Sequence, residues 1–263
     1  MRALALADDL IVFVSRIWQT SCVAVRSGEE GFLIDSPVYP DELEALADVL
    51  QRASFPVSGL LVTHGDWDHL LGRLAFPQAS LGAGEQTARR LAATPGAAAR
   101  ELRRFDERHY VERERPLSLA GMQSLPVPGR LELGSGRELE LYPAAGHTGE
   151  GTAFWLPWRS ALVCGDYLSP VEIPMIGPGG GARAYLQTLT RLEPLVARAR
   201  HVIPGHGMPL GRERALALLA EDRAYLTALL HKGAAQLPAG RSTARQREID
   251  AANRRALDRG TDG

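Results

Sequence analysis

Residues 58–72 read SGLLVTHGDWDHLLG, and this stretch decides how the rest of the chain is understood. The apolar run 58–63 has the length of a strand and stops abruptly at His64. Four ionisable groups, His64, Asp66, Asp68 and His69, then crowd into six positions. Behind a buried strand such a cluster is costly to leave without partners. Imidazole and carboxylate are also the donors that divalent metals take. Three later loops carry the same chemistry. His147 follows a strand predicted at 137–142, Asp166 follows one at 160–164, and His206 follows one at 201–204. Glycines flank these positions (Gly65, Gly146, Gly165, Gly205 and Gly207) and let the backbone bend tightly. Taken singly, the Asp of a Gly-Asp turn or the His of Pro-Gly-His-Gly is ordinary loop chemistry. Seven donors at four strand ends predict a metal site, because strands fix where each loop begins.

Around the motif the chain alternates strands and helices. Strands are predicted at 10–18, 22–26 and 31–35, with a hairpin turn at 28–31. A helix follows at 40–52, with Leu43, Leu46, Ala47 and Leu50 on one stripe. After a strand at 78–82, two Ala/Arg-rich helices are expected at 85–93 and 97–107, split by Thr94-Pro95-Gly96. Charges of alternating sign beyond Arg103 predict a solvated, ion-paired surface. Strands resume near 131–133, 137–142, 152–156 and 160–164. The Gly-rich segment 177–182 lacks the Lys-Ser/Thr of a phosphate-binding loop and is expected to be a mobile border of the site. Helices are predicted at 183–197 and 212–230, around the strand 201–204. The expected organisation is one domain over 1–235 and a helical or disordered tail over 236–263.

Composition narrows the function. The chain has 263 residues, 45% hydrophobic, enough for a sizeable core without disulfides. Lys+Arg numbers 30 against 31 Asp+Glu, which argues against a dedicated nucleic-acid binder. No apolar run reaches the roughly 18–20 residues of a membrane span, and the start lacks a secretory pattern. Cys22 and Cys164 sit in apolar strand-like runs, and two buried free thiols fit the reducing cytoplasm. The expected partner is a small-molecule substrate, with neither nucleic acid nor membrane. The oligomeric state stays open, a homodimer included.

The order His-x-Asp-x-Asp-His, His147, Asp166, His206 resembles the metallo-β-lactamase-fold hydrolase superfamily, whose first motif is His-x-His-x-Asp-His. THGDWDHLLG is similar in particular to the first motif of glyoxalase II. LIDSPVYPDE, residues 33–42, resembles the family's early strand-to-turn motif, and VIPGHG, residues 202–207, its last ligand loop. The resemblance spans roughly residues 10–230. It implies an α/β (α+β) fold, a four-layer αββα sandwich with the site along the shared edge of two sheets. It further implies that His64, Asp66 and His147 hold one metal, that Asp68, His69 and His206 hold a second, and that Asp166 bridges them. Asp68 would also orient a metal-bridged hydroxide for attack on a small ester-like substrate, thioester first and lactone second. Tyr167, next to Asp166, is offered as a catalytic hydroxyl, or equally as core packing. Arg183 and Tyr185 are offered as a clamp for an anionic substrate group.

One position departs from the family. Asp66 stands where a His is usual. An Asp oxygen and a His Nδ1 both lie one bond beyond Cγ, so the reach is similar. A third carboxylate adds negative charge, weakens the ions as Lewis acids and favours harder metals, so iron or manganese stands beside zinc. The alternatives are an iron-dependent dioxygenase of the same fold and a catalytically degenerate metal-binding protein.

Overall fold

The computed structural model describes residues 1–231 and 236–258. The chain divides into two compact units, 1–141 and 142–263. The first unit is built on a seven-stranded sheet in simple sequential order, β1 to β7. Strands β1 (Arg2–Ala7), β2 (Leu10–Val14), β3 (Ser21–Ser27) and β4 (Glu30–Ile34) form an antiparallel meander. Helix α1 (Pro40–Arg52) crosses over to β5 (Gly59–Val62), which lies parallel to β4. A helical turn at Trp67–His69 and the short α2 (Gly72–Ala75) lead to β6 (Ser80–Gly84). Helices α3 (Glu85–Ala93) and α4 (Ala97–His109) precede the edge strand β7 (Gln123–Leu125). Strands β4 to β7 all run parallel.

Parallel pairing needs crossovers and places loops together beyond the carboxyl ends of neighbouring strands. Ile34 of β4 pairs with Leu61 of β5. Asp35 and Thr63 therefore start their loops side by side. Of the stripe its periodicity predicts on α1, Leu43, Leu46 and Leu50 are buried and Ala47 is half-buried. Leu46 and Leu50 pack with Phe13, Cys22, Leu33 and Leu60.

Five further strands belong to a second sheet. The antiparallel pair β8 (Gly129–Glu132) and β9 (Glu138–Pro143) is followed by β10 (Thr152–Leu156), β11 (Ala161–Val163) and β12 (His201–Ile203). β10 and β11 are antiparallel, whereas β11 and β12 are parallel with α5 (Ala182–Arg198) between them. Val163 pairs with Ile203, so the Asp166 and His206 loops again leave adjacent strand ends. Helices α6 (Arg212–Leu230) and α7 (Ala244–Asp258) complete the second unit. Its core joins Tyr185, Leu189 and Leu192 of α5 to Leu218, Leu226 and Leu229 of α6 and to Ile249 and Ala256 of α7.

The fold differs from the sequence reading in identifiable places. The strand predicted at 10–18 ends at Val14, because Trp18 and Gln19 take positive φ in the turn toward β3. Strand β1 escapes the pattern because its first four residues are exposed and show no apolar alternation toward a core. Helix α7 forms within the stretch read as a helical or disordered tail, and residues 259–263 of that stretch lie outside the described residues. The segment 177–182, read as a mobile border, instead has its backbone bonded to the loop of His147. The Gly177 N–H donates to the His147 carbonyl at 2.7 Å and the Gly181 N–H to the Gly146 carbonyl at 3.0 Å. A Cβ on Gly180 would meet both carbonyl oxygens at 2.4 Å, so glycine is what permits the approach. Both cysteines are free and buried, and burial pushes their thiols up. No helix among the described residues is long and apolar enough to cross a membrane.

Candidate metal centre

In the first unit four donors gather on the helical turn after β5. His64 and His69 are buried, Asp68 is nearly so, and Asp66 is partly exposed. His64 Nε2 lies 3.8 Å from Asp66 Oδ2, and His69 Nε2 lies 3.7 Å from Asp68 Oδ2. The two imidazole rings stand 4.2 Å apart. The pairs His64 and Asp66, His64 and His69, and Asp68 and His69 each offer ligand atoms close enough to share an ion.

Hydrogen bonds behind the rings fix their orientation. Buried Asp35 accepts the Thr63 backbone N–H on Oδ1 and the Thr63 hydroxyl on Oδ2, both at 2.8 Å. The single Thr63 proton is thereby committed, and the hydroxyl oxygen accepts from His64 Nδ1 at 3.0 Å. Asp35 Oδ2 also faces His69 Nδ1 at 3.0 Å, and a carboxylate only accepts. Both neutral imidazoles thus carry their proton on Nδ1 and present Nε2 as a lone pair. Anchoring one ring nitrogen so that the other faces a metal is the usual support of histidine ligands.

The second unit repeats the device. His147 Nδ1 donates to the Met175 carbonyl at 2.9 Å, which aims Nε2 at Asp166 Oδ2, 3.3 Å away. His206 Nε2 approaches the same oxygen at 3.2 Å. A neutral ring's lone pair repels a carboxylate oxygen at that distance unless a proton or metal ion lies between them. The donor set, its burial and its Nδ1 anchors all fit a divalent cation. The backbone N–H of His147 donates to the Tyr167 hydroxyl at 3.1 Å, and that hydroxyl donates to the Ala144 carbonyl at 3.0 Å. Tyr167, offered above as a catalytic group, is therefore placed to hold the His147 loop, and burial pushes its hydroxyl up. Tyr185 is likewise buried, donating to the Asp166 carbonyl at 2.8 Å, whereas Arg183 is exposed. Tyr185 thus supports the loop that carries Asp166.

Sequence reasoning missed several supporting residues. Asp35 could have been found, since it is an acid directly after a buried strand. Its φ of 61° marks a left-handed turn, which Asp tolerates better than most residues. Arg90 of α3, which donates to Asp66 Oδ1 at 2.9 Å, gave no local signal among its many arginine neighbours. Nor did Asn253, whose side chain accepts the Ile176 N–H at 2.8 Å and donates to the Pro174 carbonyl at 2.7 Å, on both sides of Met175.

The mixed α/β fold has two sheets, with His/Asp groups in loops that follow β5, β9, β11 and β12. The model of the metallo-beta-lactamase superfamily matches residues 16–206, and the chain belongs to that superfamily. Solved structures carry the same fold. A metallo-beta-lactamase family protein from Thermus thermophilus aligns with a TM-score of 0.69 at 23% identity, over 97% of this chain and 95% of that one. A metallo-beta-lactamase from Pontibacter korlensis gives 0.59 at 18% identity, over 83% of this chain and 98% of that one. The stereoselective inverting sec-alkylsulfatase Pisa1 from Pseudomonas sp. gives 0.71 at 16% identity, over 97% of this chain, which spans 50% of the sulfatase. At these identities the likeness is one of fold.

Proposed function

We propose that this protein is a metal-dependent hydrolase of a small ester-like substrate, thioester first and lactone second. The observation that carries the reading is the Nδ1 anchoring of His64, His69 and His147, which leaves three Nε2 lone pairs facing carboxylates. His64, Asp66 and His147 would hold one divalent ion, Asp68, His69 and His206 a second, with Asp166 between them. Zinc is the first choice of metal, with iron or manganese beside it because of Asp66. Such ions supply a water of lowered pKa and a Lewis acid for the developing oxyanion. Asp68 would orient the attacking water and accept its proton. Asp35 and Thr63 keep the first unit's imidazoles in the required tautomer, and Tyr167 positions His147. The preference for a thioester rests on the likeness of THGDWDHLLG to the glyoxalase II motif. The buried free thiols favour a reducing, cytoplasmic setting.

Metal analysis of protein purified without added metal tests the reading, together with turnover of a thioester and lactone panel. About two ions per chain and turnover are expected. Less than one ion per chain overturns it. Bound iron with oxygen consumption would replace hydrolysis by dioxygenase chemistry, and metal without turnover would leave a binding protein.

A further inference from the structure

The geometry points to Arg90 as the residue that makes Asp66 a charge-neutral, one-oxygen ligand, and so sets the metal preference at that position. The inference rests on the metal-binding reading above. Helix α3 starts directly at the end of β6, and its sixth residue, Arg90, extends its guanidinium to the motif. Nη2 donates to Asp66 Oδ1 at 2.9 Å, with both side chains partly buried. The other oxygen, Oδ2, is the one that faces His64 Nε2, at 3.8 Å. One carboxylate oxygen is thus engaged by the helix and the other is directed into the donor cluster.

Two consequences follow. The pair Asp66–Arg90 carries no net charge, like the neutral imidazole that the His-x-His-x-Asp-His motif has at this point. The extra negative charge of a third carboxylate is therefore offset within the first unit. The hydrogen bond also holds Oδ1 toward the helix, which disfavours a two-oxygen grip by Asp66 on one ion. Zinc is content with four ligands, whereas harder ions such as manganese take more oxygen donors in a larger shell. Freeing the second oxygen raises both the donor count and the negative charge, and both changes favour manganese over zinc.

Competition titrations of apoprotein with zinc and with manganese read this directly as the ratio of the two affinities. Arg90→Met keeps side-chain length and helix propensity. It is expected to move the ratio about tenfold toward manganese, the scale of a lost partner behind a ligand. Cobalt-loaded Arg90→Met should show weaker visible absorption, the mark of a higher coordination number. Arg90→Lys keeps the charge without the planar fork and should shift the ratio by less. In an Asp66→His background, Arg90→Met should leave the ratio unmoved. An unchanged ratio in the single variant, or an equal shift in both backgrounds, overturns the inference while a metal-binding wild type keeps the hydrolase reading. A wild type that binds no metal removes both. Should Arg90→Met fold poorly, the lysine variant decides between the same outcomes.

Discussion

The first unit delivers four donors from six consecutive residues, whereas the second collects three from loops spread between His147 and His206. Their supports differ in the same way. His64 and His69 are anchored by Thr63 and Asp35, which begin loops on two strands paired side by side. His147 leans on a carbonyl in the segment 169–176, and that segment is held from the far end of the chain. Arg241 donates to the carbonyls of Glu172 (2.9 Å) and Ser169 (3.3 Å), Gln246 to that of Val171, and Asn253 brackets Met175. Ser169 in turn donates to the His206 carbonyl at 2.7 Å. A contiguous motif brings its own scaffold. A dispersed one borrows scaffold from a distant stretch of chain whose sequence says nothing of metals.

If that contrast is sound, the largest effects come from the borrowed scaffold. Arg241 is fully buried, paired with Asp222 at 2.6 Å and with Glu221 at 2.9 Å. Arg241→Met removes the partner of Asp222 and Glu221 and the bonds to the Ser169 and Glu172 carbonyls, and should cost about 3–5 kcal/mol in urea unfolding at pH 8. Burial pushes the Asp222 carboxyl from an ordinary 3.8 up to about 7, with Arg241 pulling the other way. The unfolded chain releases this proton near pH 4, while the folded protein keeps it until about 7. The contribution of Asp222 to stability therefore falls as pH rises through that window and is flat above it. Wild type should lose ground to Asp222→Asn between pH 4 and 7 when their unfolding midpoints are compared. A difference that does not vary with pH would deny the raised carboxyl.

Next in size is Asn253→Ala, which strands a buried N–H and a buried carbonyl on either side of Met175. A loss of about 1–3 kcal/mol is expected, with weaker metal binding in the same variant. Unchanged metal affinity would show that α7 supports the second core without reaching the site. Asp35→Asn probes the other side of the comparison. It suits the left-handed backbone but replaces the carboxylate behind His69, and should weaken metal about tenfold with little change in unfolding. A large stability loss there would erase the proposed difference between the two supports.

How much could be read beforehand follows the same division. The seven candidate donors stood out because they cluster in loops that follow strands, and glycines beside them mark the bends. The stripe on α1 and the strands β3 to β5 were visible because burial is written in their periodicity. Arg241 and Asn253 were not, since a buried polar residue in an Arg/Ala-rich stretch looks like any solvated one until its partners are placed. Arg90 was hidden in the same manner. The Gly177–Gly181 stretch misled for a related reason. Glycine permits mobility and close packing alike, and only the carbonyls of Gly146 and His147 decide which.

Tyr167 gives the smallest effect and the finest distinction. Its hydroxyl has one proton and gives it to the Ala144 carbonyl, while its lone pair takes the His147 N–H. Tyr167→Phe removes both bonds without changing ring packing against Tyr185, 4.4 Å away between ring centres. About 1 kcal/mol of stability should be lost, and kcat should change only a few-fold through a looser His147. A general acid behaves otherwise: its removal costs about 10²–10⁴-fold in rate and deletes a limb of the pH–rate profile. Because the hydroxyl sits beside the His147 loop, a large rate loss with unaltered metal binding would give the second unit a chemical role. A small loss accompanied by weaker metal binding keeps its role architectural, with the proton chemistry left to Asp68 in the first.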